Sequence, residues 1–154
     1  MFYRYQIFSI TDTNFMKQNL FTKFLLCGFT GWCLECFWTG LGSLCKKEKN
    51  PKLTCQTSLW MFPIYGMAAL IHPLSKKLKS QCAFVRGGVY SILIVTTEFL
   101  TGEILKKFRA CPWDYSKSRF NVDGVIRFDY IPVWFFVGLF YEKLLDDNKT
   151  RTLL

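Results

Sequence analysis

Residues 83–105 read AFVRGGVYSILIVTTEFLTGEIL, a run of 23 residues whose only charged members are Arg86, Glu98 and Glu103. At 1.5 Å rise per residue, a helix of this length reaches about 34 Å, enough to cross a lipid bilayer. Glu98 lies in its interior, where a charge costs roughly 2.5 to 3.5 kcal/mol on insertion scales. Such a residue is tolerated only where neighbouring groups pair with it or form hydrogen bonds to it. The stretch therefore predicts a membrane helix packed around a glutamate.

Three further apolar stretches accompany this helix, at residues 20–44, 57–74 and 126–145. Hydrophobic residues make up 51% of the chain and are gathered in these blocks, with basic residues in the short joints between them. This pattern is typical of a membrane protein. The predicted fold class is an all-α, polytopic membrane bundle of about four transmembrane helices, between an N-terminal tail at 1–19 and a C-terminal tail at 146–154. A soluble bundle of buried helices is the alternative interpretation.

Two local features qualify this plan. Pro63 lies inside the second stretch and removes a backbone N–H, so we predict that this helix is broken or kinked at Pro63. Met16 precedes a lysine and the first apolar run, and translation could begin there or at Met1.

The charge balance is strongly basic, +9 from 20 Lys and Arg against 11 Asp and Glu. Nucleic-acid binding would require the charge to form a face or stripe. Here it lies beside apolar stretches, as expected for residues near anionic lipid headgroups, so we expect the lipid bilayer as partner and no nucleic acid. A four-span arrangement places ten Lys and Arg on each side, so their distribution predicts no orientation.

Small residues recur at steps of three and four around the glutamates. In the first stretch Gly28, Gly31 and Glu35 share one helical face, and in the fourth Trp134, Gly138 and Glu142 do so. The third stretch repeats this pattern with Gly87, Ser91, Glu98 and Gly102. We expect Glu35 and Glu98 to face the bundle interior, either protonated or paired, with Arg86 and Arg127 as candidate cations.

The joint between the third and fourth stretches is the most distinctive segment. It contains CPWDYS at 111–116, NVDG at 121–124 and RFDY at 127–130. Proline, asparagine and glycine build turns, while Asp114, Asp123 and Asp129 supply oxygens close to arginines. Two interpretations remain open: these aspartates bind a metal, a headgroup or a proton, or they form a structural turn of salt bridges.

The cysteines and the histidine predict no metal or cofactor site. Cys33 and Cys36 have a redox-like spacing, but they lie within a predicted membrane helix and no second pair completes a site. We interpret them as packing residues. The single histidine, His72, is expected to cap a helix or lie at the membrane interface.

Several motifs together resemble one known family. They are GWCLE at 31–35, TSLWMFPIYG at 57–66, Glu98-x-x-x-Gly102, CPWDYS at 111–116, Asn121-x-x-Gly124 and Tyr130-x-x-x-Trp134. The chain resembles, over residues 24–142, the membrane family catalogued as putative ABC-transporter type IV (CmpB-like) permeases, whose animal branch is called transmembrane protein 229. The resemblance implies a four-span membrane protein with Glu35, Glu98, Trp113, Asp114, Tyr115 and Asn121 at motif positions.

Three functions are compatible with these patterns. The first is a transporter or permease component with no catalytic activity of its own, for which we expect a homo-oligomer and, if it is ABC-type, a separate ATP-binding-cassette subunit. The second is a structural or regulatory membrane subunit. The third is a membrane-embedded enzyme acting on lipids through Glu98, Asp114 and Asp123. The candidate functional residues form one polar set: Glu35, Glu98, Trp113, Asp114, Tyr115, Asn121, Asp123, Arg127 and Asp129.

Overall fold

The structure is a computed structural model that describes residues 19–44 and 51–146. The described residues leave out 1–18 of the N-terminal tail predicted at 1–19, 147–154 of the C-terminal tail predicted at 146–154, both candidate start sites and Cys45. Five α-helices and one small hairpin make up the described chain: α1 (Leu20–Gly42), α2 (Met61–Gly66), α3 (Ile71–Lys77), α4 (Ala83–Lys107), β1 (Asn121–Val122), β2 (Ile126–Arg127) and α5 (Ile131–Leu144). The predicted helical class is confirmed.

Helix α1 begins at a side-chain cap. The Asn19 Oδ1 atom accepts a hydrogen bond from the Thr22 backbone N–H at 2.8 Å. The small-residue face of α1 then packs against α2, because a Cβ on Gly28 would contact Phe62 and one on Gly31 would overlap the Tyr65 ring. The predicted packing role of these glycines is confirmed.

The second helical segment departs from α geometry later than predicted. Pro63 lies within the first turn of α2, where its missing N–H leaves few helical bonds unmade. The departure is a 3-10 helix at Met67–Leu70, which joins α2 to α3 just after Gly66. Gly66 lies against the Phe24 ring, so the change of geometry follows a close contact of this segment with α1.

Helices α4 and α5 pack along the face predicted from Trp134, Gly138 and Glu142. A Cβ on Gly138 would lie 2.5 Å from the Tyr90 Cβ. One turn further along α5, Glu142 pairs with Arg86 of α4, with 3.0 Å between Arg86 Nε and Glu142 Oε1. The start of α4 is thereby fixed to the end of α5.

The fourth apolar stretch is only partly helical. It was predicted to start at residue 126, but α5 begins at Ile131, after a hairpin and a 3-10 turn at Phe128–Tyr130. Asp123 and Gly124 both have positive φ, 52° and 68°, which suits the tight turn between β1 and β2. The Asp-Gly turn therefore ends the loop in a hairpin before the helix can start.

A small core ties the helices together, and the outer surface is apolar. Buried Tyr141 of α5 donates its hydroxyl to the Cys27 carbonyl of α1 at 3.2 Å. Large apolar side chains point outward from α1, α4 and α5, including Phe21, Ile92 and Phe136. This outward surface favours a lipid environment.

Within the described residues, two helices are long and apolar enough to cross a membrane, Leu20–Gly42 and Ala83–Lys107. Only 22% and 17% of their most apolar 18-residue windows are buried inside the protein. Since a core helix of a soluble protein would be mostly buried, the two helices support the membrane interpretation over the soluble one.

Candidate functional site

A cavity lies between the helices and has a volume of about 1060 Å³. Both Glu35 of α1 and Glu98 of α4 line it, although they lie 63 positions apart in the chain. The loop after α4 contributes Trp113 and Tyr115 to the same wall. Four of the predicted residues therefore meet in one place.

Glu98 is held by an aromatic donor from the neighbouring helix. Its side chain is buried, at 9% exposure, and its Oε2 atom accepts a hydrogen bond from Trp134 Nε1 at 3.1 Å. The Tyr115 hydroxyl also approaches this carboxyl group. A buried carboxyl group is costly unless donors surround it, and these two side chains provide them.

Glu35 is half-buried and has hydroxyl partners. Its Oε2 atom accepts a hydrogen bond from Thr57 Oγ1 at 2.5 Å, and the Tyr65 hydroxyl approaches the same carboxyl group. Thr57 belongs to the segment that precedes α2. The partners of Glu35 thus come from the second segment, whereas the partners of Glu98 come from α5 and the loop.

Tyr65 lines the same cavity as the two carboxyl groups. Its hydroxyl is within electrostatic range of Glu35, Glu98, Tyr115 and Tyr141. Its ring packs on Gly31, where no larger side chain would fit, and this close contact fixes its position on α2. Tyr65 therefore links the two acidic parts of the cavity wall.

Aromatic rings form much of the remaining wall. Tyr115, Tyr130 and Trp134 follow one another in edge-to-face contacts, with ring centroids 5.9 Å and 6.2 Å apart. The lining aromatic residues are Phe37, Trp38, Tyr65, Trp113, Tyr115, Tyr130, Trp134 and Tyr141. Among the described residues that line the cavity, none is Lys, Arg or His.

The loop that carries Trp113 and Tyr115 is fastened to the hairpin. Trp113 Nε1 donates to the Val125 carbonyl at 2.8 Å, and the Tyr115 N–H donates to the Gly124 carbonyl at 2.8 Å. Gly102 of α4 makes room for this contact, because a Cβ there would overlap Val125. The loop and hairpin therefore place two aromatic side chains against the cavity as one unit.

Asp114, Asn121 and Asp123 shape this loop and do not line the cavity. Asp114 Oδ1 accepts from the Ser116 N–H at 2.9 Å and from the Ser116 hydroxyl, and these bonds hold the pKa of Asp114 below its usual value. Asn121 accepts from the Gly124 N–H, while the Asp123 carbonyl accepts from Lys106. These are the hydrogen bonds of a turn, whereas the structural interpretation of the loop predicts a turn of salt bridges.

The candidate cations have partners other than Glu35 and Glu98. Arg127 pairs with Asp129 and stacks on Tyr130, with its guanidinium carbon 4.4 Å from the ring centroid. Arg86 pairs with Glu142, as described above. The expected pairing of Arg86 or Arg127 with Glu35 or Glu98 is therefore wrong, because nearer carboxylates hold both arginines.

Several residues of the site are not in the predicted set: Thr57, Tyr65, Tyr130 and Trp134. Each belongs to a motif quoted for the family resemblance, so the signal was in the sequence. Trp134 was also recognised on the packing face of α5. The spacing of these residues did not indicate that the Trp134 N–H donates to Glu98.

The histidine and the cysteines also have definite places. His72, expected to cap a helix or lie at the membrane interface, contacts α1, with its Nε2 atom 2.6 Å from Nζ of buried Lys23. The six described cysteines are free. Within residues 19–44 and 51–146, no group of three or more His, Cys, Asp or Glu side chains is placed to hold a metal ion.

Comparison with known proteins gives one family. The family model described as putative ABC-transporter type IV matches residues 22–153, which includes every element of the cavity. No solved structure matches the chain.

Proposed function

Because the chain belongs to the family described as putative ABC-transporter type IV, we propose that it is a membrane transport component whose substrate site is the cavity lined by Glu35 and Glu98. One observation carries this proposal: two glutamates from separate apolar helices line a single large cavity. Ionisable residues within membrane segments commonly mark substrate or ion pathways.

The proposal includes a multi-pass arrangement. Helices α1 and α4 have the length and composition to cross the bilayer. The second segment, from Met61 to Lys77, and α5 pack against them and would complete a four-pass bundle. Helix α5 has 14 residues and reaches about 21 Å, so the preceding hairpin would extend it towards the membrane surface.

A complete ABC-type transporter also needs an ATPase. We propose that a separate ATP-binding-cassette subunit supplies it, and that two or more copies of this chain assemble to form the full pathway. The test is affinity purification of the tagged protein from native membranes in mild detergent, with partners identified by mass spectrometry. A stoichiometric ATP-binding-cassette subunit is the expected result, and a homo-oligomer without any ATPase contradicts the ABC-type assignment.

A structural or regulatory subunit is the second candidate. The bond between Trp134 and Glu98 favours it, because polar side chains between membrane helices also act as glue worth about 0.6 to 2 kcal/mol. The two functions predict different results for Glu98→Gln, which removes the charge but can still accept the Trp134 hydrogen bond.

The distinguishing experiment measures assembly and function together. If the cavity is a transport site, Glu98→Gln and Glu35→Gln should preserve partner recovery but abolish complementation of a deletion strain. Glu103→Gln is the matched control, since Glu103 lies on the same helix as Glu98 and does not line the cavity. Normal complementation by both cavity variants would instead favour the subunit role.

A further inference from the structure

We propose that the cavity binds organic cations with an apolar body, such as a quaternary ammonium, a phosphonium or a protonated amine. This inference rests on the proposed role of the cavity as the substrate site and names the chemical class of its substrate. Three properties of the wall support it: the sign of its charge, the aromatic rings and the volume.

The charge of the wall selects against anions. Glu35 and Glu98 are the acidic residues that line the cavity, and the described lining contains no basic side chain to balance them. The nearby guanidinium of Arg127 lies outside the lining and is paired with Asp129. A ligand that brings a positive charge would therefore offset the cost of keeping the two carboxylates in an apolar place.

Hydrogen bonding leaves the carboxyl groups able to receive such a ligand. Trp134 binds one oxygen of Glu98 and Thr57 binds one oxygen of Glu35. A carboxylate has about four acceptor positions, so two donors, counting the tyrosine hydroxyl that approaches each group, orient it and leave acceptor positions that can face a cation. The bonds from Trp134 and Thr57 thus fix both negative groups at the wall.

The aromatic rings provide the second attraction. Trp38, Tyr65, Trp113 and Trp134 line the cavity together with Tyr115 and Tyr130. The faces of Trp and Tyr rings attract ammonium-type cations, most strongly where water is excluded. The protein already uses this interaction beside the cavity, because the Arg127 guanidinium carbon lies 5.6 Å from the Tyr115 centroid and 4.4 Å from the Tyr130 centroid.

The volume and the composition exclude a bare metal ion as the best occupant. Calcium takes about six to eight oxygen ligands in a close cage, whereas this wall offers two separate carboxyl groups among mostly apolar side chains. The volume of about 1060 Å³ exceeds the needs of any inorganic cation. Pockets of roughly 300–1,000 Å³ hold drug-sized molecules, so an organic cation matches both size and charge.

The test uses two probes of the same shape and opposite charge, tetraphenylphosphonium and tetraphenylborate. Equilibrium dialysis against the purified wild-type protein in detergent, with detergent alone subtracted, gives an affinity for each. We expect saturable binding of tetraphenylphosphonium, at least about tenfold tighter than that of tetraphenylborate. Equal binding of the two probes, or no saturable binding of the cation, would overturn the proposal.

Variants then assign the binding to the cavity. Glu98→Gln should weaken tetraphenylphosphonium binding by about tenfold and reduce the preference over the borate. Glu103→Gln on the same helix should leave both affinities unchanged, because Glu103 does not line the cavity. Unchanged affinity in Glu98→Gln would show that the cation binds elsewhere. The wild-type comparison of the two probes stands even where a variant fails to fold.

The experiment separates this inference from the proposed function. Binding is measured without flux or ATP hydrolysis, so selective cation binding by a protein that lacks an ATPase partner would support the inference and contradict the ABC-type assignment. Conversely, a stoichiometric ATPase partner together with equal binding of both probes would support the transport role and remove the organic cation as its substrate class.

Discussion

Glu35 and Glu98 occupy similar positions in their helices but very different surroundings. Each follows glycines on a small-residue face, and each lines the same cavity. Glu98 is buried and held by an indole N–H, whereas Glu35 is half-buried and held by the Thr57 hydroxyl. The small-residue pattern therefore identifies the face that packs but does not determine how deeply the acid lies.

The cause of the difference is what covers each glutamate. The loop at 111–116 and the hairpin lie over the Glu98 side, where Trp113 and Tyr115 are fixed by bonds to Val125 and Gly124. Glu35 is covered by the irregular segment before α2, at residues 53–60. The cavity therefore has one firmly covered acid and one more accessible acid.

The largest expected effect is on the helix contact that supports the Glu98 side. Gly138→Ala should lower the free energy of unfolding by up to about 3 kcal/mol, since the new methyl group would meet the Tyr90 Cβ, which cannot move without its backbone. Thermal unfolding in detergent measures this change.

The matched control for this substitution lies on α4. Gly88 has no neighbour within 4 Å of its added Cβ among the described atoms, so Gly88→Ala should be neutral or stabilise the helix by up to about 1 kcal/mol. Equal destabilisation by both substitutions would mean that α4 and α5 do not pack through Gly138.

The second effect compares the donors of the two glutamates directly. Trp134→Phe removes the N–H that binds buried Glu98 and should cost about 2 kcal/mol. Thr57→Val removes the hydroxyl that binds half-buried Glu35, and because water can replace that donor the cost should be about 1 kcal/mol or less.

Double mutants with Glu98→Ala and Glu35→Ala, which remove the accepting oxygens, convert these costs into coupling energies, again from thermal unfolding. We expect the larger coupling for Trp134 with Glu98. A larger coupling energy for Thr57 with Glu35 would mean that Glu35, and not Glu98, is the more deeply buried glutamate.

The fold was predictable wherever side-chain periodicity determines the contact. Gly31, Gly87 and Gly138 were placed on packing faces from their spacing, and each lies against an aromatic side chain of a neighbouring helix. The helical content followed from the apolar stretches. The family resemblance, confirmed by the match over residues 22–153, followed from the motifs.

The features that were missed depend on where residues lie in the folded chain, which periodicity does not give. Arg127 was a plausible cation for a buried glutamate, but Asp129 is two residues away and reaches it first. Pro63 looked like a break, yet its position in the first turn of α2 makes it compatible with the helix. No periodicity reports that residues 126–130 form a strand and a 3-10 turn ahead of the apolar helix that follows them.

The smallest expected effect concerns the loop on the Glu98 side. The Ser116 hydroxyl and N–H lower the pKa of Asp114 from 3.8, so the folded loop binds its proton less readily than the unfolded chain does. Stabilisation from Asp114 is therefore present above pH 3.8 and is lost as the pH falls through the lower folded pKa. Ser116→Ala should move this pKa back towards 3.8.

The measurement is a fluorine NMR titration of protein labelled with 5-fluorotryptophan, from about pH 5 to about pH 2. The fluorine resonance of Trp113, assigned by its loss in Trp113→Phe, should shift at a higher pH in Ser116→Ala than in the wild type. Asp114→Asn should remove this pH-dependent shift. Trp32 and Trp38 on the Glu35 side should show no matching change, because they lie on α1 and not in the loop. If Trp38 moved together with Trp113, the loop would act on both acids at once, and the distinction between a covered and an accessible side of the cavity would fail.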